Sequence, residues 1–170
     1  MTSFRLLLGG LAAVMAGPAI AQSCLQASER TAFEVRALQS QLMVAALSCG
    51  RDNDYNAFVR KFQGELASSY RDIAGHFRRT AGGGHQRALD SYITQLANEQ
   101  SQDGIRAGSH FCPLVTPLFQ AALAQPNAQA LASLSTERNV LNPIAVPACA
   151  AAAPAPARTA SAGRSGAANR

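Results

Sequence analysis

Residues 28–50 read SERTAFEVRALQSQLMVAALSCG, and their pattern indicates how the chain is built. The apolar residues recur at alternating intervals of three and four, which is the repeat of one helix face. They are Val35, Leu38, Leu42, Ala45 and Cys49. Toward its end the segment is apolar on nearly every side, which is typical of a buried helix. The sequence therefore predicts a central helix that Gly50 closes at its C-terminus.

Further helices are predicted on both sides of a glycine triplet at 82–84, which we interpret as a helix terminator. A second helix covers about 52–81, and a third covers about 86–101. Periodicity is lost over 104–112, and a shorter helical segment follows within 113–134. Because no β-branched or aromatic run alternates over the length of a strand, we expect an all-α protein. The expected fold is a disulfide-stapled antiparallel helical bundle of three long helices plus a shorter C-terminal helical segment.

The two ends of the chain differ from its middle. Residues 1–21 have the pattern of a signal peptide, with Arg5, a short apolar run and the small-residue site Ala19-Ile20-Ala21. The run is shorter than the roughly 20 residues that span a bilayer, so we expect cleavage after Ala21 and no transmembrane span afterwards. Residues 150–170 hold no large apolar side chain, and we expect a disordered tail. The bundle domain is expected over 22–149, in a periplasmic or secreted protein.

The positive charge lies mostly outside that domain. The whole chain carries a formal net charge of +5, but 22–149 holds 11 basic and 10 acidic residues, which leaves +1. The expected tail holds Arg158, Arg164 and Arg170, and three arginines spread over thirteen positions make a weak electrostatic footprint, so we expect no nucleic-acid partner. The partner that we expect is another envelope protein or an anionic envelope surface.

Four cysteines follow the expected cleavage site, and thiols that reach an oxidising compartment predict two disulfides. If the three long helices run up, down and up, Cys49 and Cys112 lie at the top, and Cys24 and Cys149 lie at the bottom. We therefore expect the pairs Cys49–Cys112 and Cys24–Cys149. The spacing of the four residues fits no compact zinc or iron motif, so no metal site is expected.

The sequence offers no catalytic or cofactor-binding motif. His76, His85 and His110 stand apart, and we expect them at the surface or in loops. The glycine triplet has no preceding strand and does not follow the dinucleotide-binding pattern. We therefore expect no catalytic residue and no cofactor, in a protein that is not an enzyme. The alternative is an exported small-ligand-binding protein or hydrolase with a pocket between helices, near the segment Gly104 to Cys112 that holds His110.

The second predicted helix carries a candidate partner contact. Projected at about 100° per residue, its arginines fall together beside a stripe of small residues. The set comprises Arg60, Gly64, Ser68, Arg71, Gly75 and Arg78. Each interior glycine destabilises a helix by about 1 kcal/mol, so we expect another backbone to approach closely here. Two interpretations of what packs on this stripe remain open. It is either a helix or extended peptide of a partner, or the protein's own fourth helix, which is the segment predicted after Pro113.

Four segments resemble a group of small exported helical proteins of Gram-negative bacteria that have four cysteines and no assigned activity. They are LMVAALSC at 42–49, YNAFV at 55–59, HF at 76–77 and YITQLAN at 92–98. The resemblance covers about residues 24–112 and implies a shared fold, with no family active site to carry over. Some similar sequences bear the label S-adenosyl-L-homocysteine hydrolase. Because this chain is short and has neither a βαβ pattern nor a nicotinamide-binding glycine fingerprint, we interpret that label as a misnomer.

Overall fold

The computed structural model describes residues 24–149, so the expected signal peptide and the expected tail lie outside the described residues. The described chain is mostly helical and holds no strand, which confirms the all-α class. Its helices are α1 (Ala27–Cys49), α2 (Asp52–Lys61), α3 (Gln63–Ala81), α4 (His85–Ala107), α5 (Phe111–Leu123) and α6 (Ala128–Glu137). Short 3₁₀ turns at Gly82–Gly84 and Gly108–His110 join α3 to α4 and α4 to α5. None of these helices is long and apolar enough to cross a bilayer.

The central helix is α1, against which each of the five other helices packs. Its face toward them is fully buried at Val35, Ala37, Leu38, Leu42 and Ala45. Gly50 ends the helix in the left-handed conformation, with φ at 64°, which glycine adopts without steric cost. The predicted central helix and its stop at Gly50 are confirmed. Its last turns are less buried than the apolar sequence indicates, since Met43 and Leu47 are exposed.

The helix predicted over about 52–81 is two helices. Phe62 lies between α2 and α3 at φ −109° and ψ 23°, outside the helical region. Phe58 and Phe62 are both buried in the core, with ring centroids 5.2 Å apart. Lys61 at the end of α2 donates to the carbonyl oxygen of Leu123, the last residue of α5, and to that of Gln125, just beyond the helix. The break therefore lies where α2 is fastened to α5.

The loop expected over 104–112 is helical except for the 3₁₀ turn. Gly104 lies inside α4, and a Cβ at this position would stand 3.2 Å from the ring of Phe111. Its missing side chain therefore serves a close approach and not the end of a helix. The stop comes at Gly108, where φ is 54°. The expectation of an irregular segment is wrong because Gly104 does not end α4: it lies within the helix, where the absence of a side chain lets the Phe111 ring pack closely.

Residues 140–149 form an extended segment, here called the strap, which follows a turn at Asn139 and runs back along α1. Gln100 on α4 is fully buried, and its Nε2 donates to the carbonyl oxygens of Ala37 (3.0 Å) and Leu141 (2.9 Å). One side chain thus joins α1, α4 and the strap. At its far end the strap pairs with Leu25, two residues before α1, as Cys149 N donates to the Leu25 carbonyl at 2.8 Å.

Two disulfides fasten this arrangement. Cys24–Cys149 joins the start of α1 to the end of the strap, and Cys49–Cys112 joins the end of α1 to the start of α5. These are the pairs that the order of the helices predicts. Since they close loops of 125 and 63 residues, each stabilises the fold by about 4 to 5 kcal/mol in the chain-entropy model.

Candidate functional site

Five of the six candidate contact residues lie on one face of α3, here called the α3 outer face. They are Gly64, Ser68, Arg71, Gly75 and Arg78, at alternating intervals of four and three. Residues on the opposite side of α3, among them Leu66 and Ile73, are buried in the core. The period of a helix therefore separates the candidate residues from the core of the protein.

The sixth residue, Arg60, does not belong to this face. It is exposed near the end of α2, on the other side of the break at Phe62. The projection that aligned it with Arg71 assumed one continuous helix. The structure brings together the five residues of α3 and separates Arg60 from them.

The α3 outer face is not covered by the described chain. Ser68, Arg71 and Arg78 are exposed, and a Cβ built on Gly64 or Gly75 would meet nothing within 4 Å. The helix expected to cover this face, α5, packs instead on α1 and α2. The alternative in which the protein's own fourth helix fills the stripe is therefore wrong within residues 24–149.

The C-terminal half of the α3 outer face borders a cleft of about 370 Å³, here called the arginine cleft. It lies between α3 and the start of α1. It is lined by Gln26, Ser28, Glu29, Arg71, Asp72, Gly75, Arg78 and Arg79. Among residues 24–149, neither Arg71 nor Arg78 has an ion-pair partner. Gly75 contributes no side chain, which leaves room between these two cations.

A buried ionic cluster adjoins the cleft. Oε2 of Glu29 accepts hydrogen bonds from Arg79 Nη2 at 2.6 Å, from His76 Nδ1 at 3.2 Å and from the backbone nitrogen of Gln26 at 2.9 Å. An ionised carboxylate can only accept, so the proton of this contact belongs to His76 Nδ1. Arg79 also donates to the carbonyl oxygen of Cys24 at 2.9 Å. The cluster therefore joins the end of α3 to the start of α1.

The ionisation of Glu29 follows from these contacts. Burial alone would raise the pKa of the Glu29 carboxyl, but hydrogen bonds from Arg79, Gln26 and His76 outweigh that effect. Its pKa is therefore held below the ordinary value. Three donors from two parts of the chain converge on its Oε2 atom, which indicates a structural role.

The position of His76 corrects the sequence prediction. The side chain was expected at the surface, but it is 3% exposed and packs edge-on against Phe33, with ring centroids 5.3 Å apart. The sequence spacing could have predicted its burial, because His76 follows the buried Ile73 by three residues on the apolar face of α3. His85 is half-buried and His110 is exposed.

A second, larger depression lies between α4, α5 and the start of the strap. Its volume is about 580 Å³, and apolar side chains such as Phe111, Val115 and Leu118 line much of it. Leu114 at its rim is 73% exposed. His110, expected beside a pocket in this region, does not line it. Within residues 24–149, no three His, Cys, Asp or Glu side chains are placed to hold a metal ion.

Comparisons with protein-family models, with curated proteins and with solved structures found no match for this chain. The chemistry of the site is therefore argued from its geometry. The arginine cleft offers two exposed guanidinium groups without ion-pair partners among residues 24–149, beside the polar Gln26 and Ser28 and the acidic Asp72. Guanidinium groups of this kind are suited to binding an anion.

Proposed function

We propose that the protein is an exported, non-enzymatic helical interaction module whose α3 outer face contacts a partner in the bacterial envelope. The proposal includes removal of the signal peptide, location in the periplasm or the external medium, and membership of the small four-cysteine proteins that the sequence resembles. Two disulfides support such a compartment, since they persist where the environment is oxidising.

One observation carries the proposal. Gly64 and Gly75 lie within a helix, where each destabilises the fold relative to alanine by about 1 kcal/mol, yet neither position is crowded by the rest of the described chain. Because Gly75 has no side chain, another molecule can approach the helix backbone closely between the exposed Arg71 and Arg78. Exposed polar or charged groups beside such a surface favour recognition over catalysis.

The test is recovery of partners from envelope extract with tagged wild-type protein and with the variant Arg71→Glu/Arg78→Glu. A matched control is Arg87→Glu, which reverses an exposed charge on α4. We expect wild type and control to retain the same partner and the double variant to lose it. Equal recovery by all three proteins would show that the α3 outer face is not the contact.

A second candidate, an exported small-ligand-binding protein or hydrolase, is favoured by the partly apolar depression between α4, α5 and the strap. Its volume of about 580 Å³ falls within the usual range of ligand sites, roughly 300–1,000 Å³. A ligand-binding protein of this kind should take up an apolar fluorescent dye there, and Leu114→Gln should reduce the uptake. No change in dye fluorescence on adding protein would count against it.

A further inference from the structure

We propose that the arginine cleft binds the side-chain carboxylates of an acidic peptide segment in a partner protein. This inference rests on the proposed function and names the chemistry of its partner.

The first argument is the arrangement of charge. Arg71 and Arg78 stand seven residues apart on α3, about 10 Å along the helix axis. Both are exposed and free of ion pairs with other residues of 24–149. A guanidinium group presents two parallel donors that match the two oxygens of a carboxylate. The two side chains can thus each take one carboxylate of the same peptide.

The second argument is the space between the arginines. Gly75 lies between them, and a Cβ there would meet nothing within 4 Å. The opposite wall holds the exposed polar side chains of Gln26 and Ser28, which add no charge of their own. A peptide backbone that crosses Gly75 therefore meets polar groups and no bulky side chain.

The third argument separates a peptide from an anionic bilayer surface. Asp72 lines the same cleft, so a uniformly negative bilayer surface would be repelled there, whereas a peptide can place its carboxylates at Arg71 and Arg78 alone.

The test is fluorescence anisotropy with a rhodamine-labelled peptide of four Glu-Ser repeats, beside a matched peptide of four Gln-Ser repeats. We expect the Glu-Ser peptide to bind wild type more tightly than the Gln-Ser peptide, with affinity that falls as salt is added. Arg71→Gln and Arg78→Gln should each weaken binding about tenfold, because each removes a charge-assisted contact. Arg87→Gln on α4 is the control and should bind as wild type does.

A further variant tests the cleft without changing any charge. Gly75→Leu places a bulky side chain between the two arginines, and it should weaken binding of the Glu-Ser peptide while the helix remains folded by circular dichroism. All of these positions face away from the core, so the variants should keep the thermal midpoint of the wild type within a few degrees.

Three results would overturn the inference. They are binding of both peptides with equal affinity, unchanged affinity in Arg71→Gln and Arg78→Gln, and arginine-dependent binding to phosphatidylglycerol vesicles with none to the peptide. The third result would assign the cleft to a lipid surface. Loss of a recovered partner in Arg71→Glu/Arg78→Glu without any binding of the Glu-Ser peptide would retain the proposed function and reject only the acidic ligand.

Discussion

Glu29→Gln should lower the free energy of unfolding by about 3 kcal/mol at neutral pH. The Glu29 side chain is 7% exposed, and its carboxylate accepts from Arg79, His76 and the backbone of Gln26. Breaking a fully buried ion pair costs about 3–5 kcal/mol. The Arg79 side chain is 28% exposed, and a glutamine oxygen still accepts one of the three bonds, so the lower end of that range applies.

The pH dependence of this loss has a definite sign. Because the pKa of Glu29 is lower in the folded protein than its ordinary value of 4.5, the ionised side chain stabilises the fold above about pH 4.5. That contribution disappears as the pH falls through the folded-state pKa. The difference in stability between wild type and Glu29→Gln should therefore be full at neutral pH and should shrink in acid.

The assay is urea denaturation followed by circular dichroism, from neutral pH to about pH 3. The control is Glu137→Gln, which neutralises an exposed carboxylate at the end of α6 and should change stability by no more than about 0.5 kcal/mol. Equal stability of Glu29→Gln and wild type at neutral pH would refute the account of the cluster. A difference that grows on acidification would refute the sign of the pKa shift.

Three further outcomes follow from the structure. Peptide mapping without reduction should recover Cys24 joined to Cys149, and a fragment joining Cys24 to Cys49 would show that the helix order is wrong. Gly75→Ala should raise the free energy of unfolding by up to about 1 kcal/mol in thermal denaturation, since a Cβ there is uncrowded; a loss of stability would reveal a contact at that position. Gln100→Ala should cost about 2 kcal/mol and speed amide exchange in the strap, because the bond to the Leu141 carbonyl is lost; unchanged exchange would contradict this fastening role.

Much of the fold could be predicted from local patterns. The apolar repeat of α1, its stop at Gly50 and the order of the helices predict the helical class and the cysteine pairs. The break at Phe62 could not be predicted, because Phe58 and Phe62 keep the four-residue spacing of a continuous helix. The partners that fasten Lys61, at Leu123 and Gln125, lie more than 60 positions along the chain. The position of the break between α2 and α3 thus depends on contacts between residues far apart in the sequence, which the apolar periodicity does not indicate.

The candidate site was predicted in part. Its α3 face has a regular spacing that the sequence shows, whereas the arginine cleft needs a second wall from Gln26 and Ser28, which no pattern within α3 can indicate. His76 is buried because Glu29 provides a partner from 47 positions away. Gly104 shows the same limit, since the close approach within residues 24–149 that an interior glycine suggests occurs there and not in α3.

The most direct test of the account is photo-crosslinking of the α3 outer face in cells that produce the protein. A benzophenone amino acid replaces Ser68, which is exposed in the middle of that face, or Thr94, which is exposed on α4. We expect a discrete adduct from position 68, its loss when Arg71→Glu/Arg78→Glu is added, and no adduct from position 94. No adduct from position 68, or the same adduct from both positions, would contradict the claim that this face binds the partner.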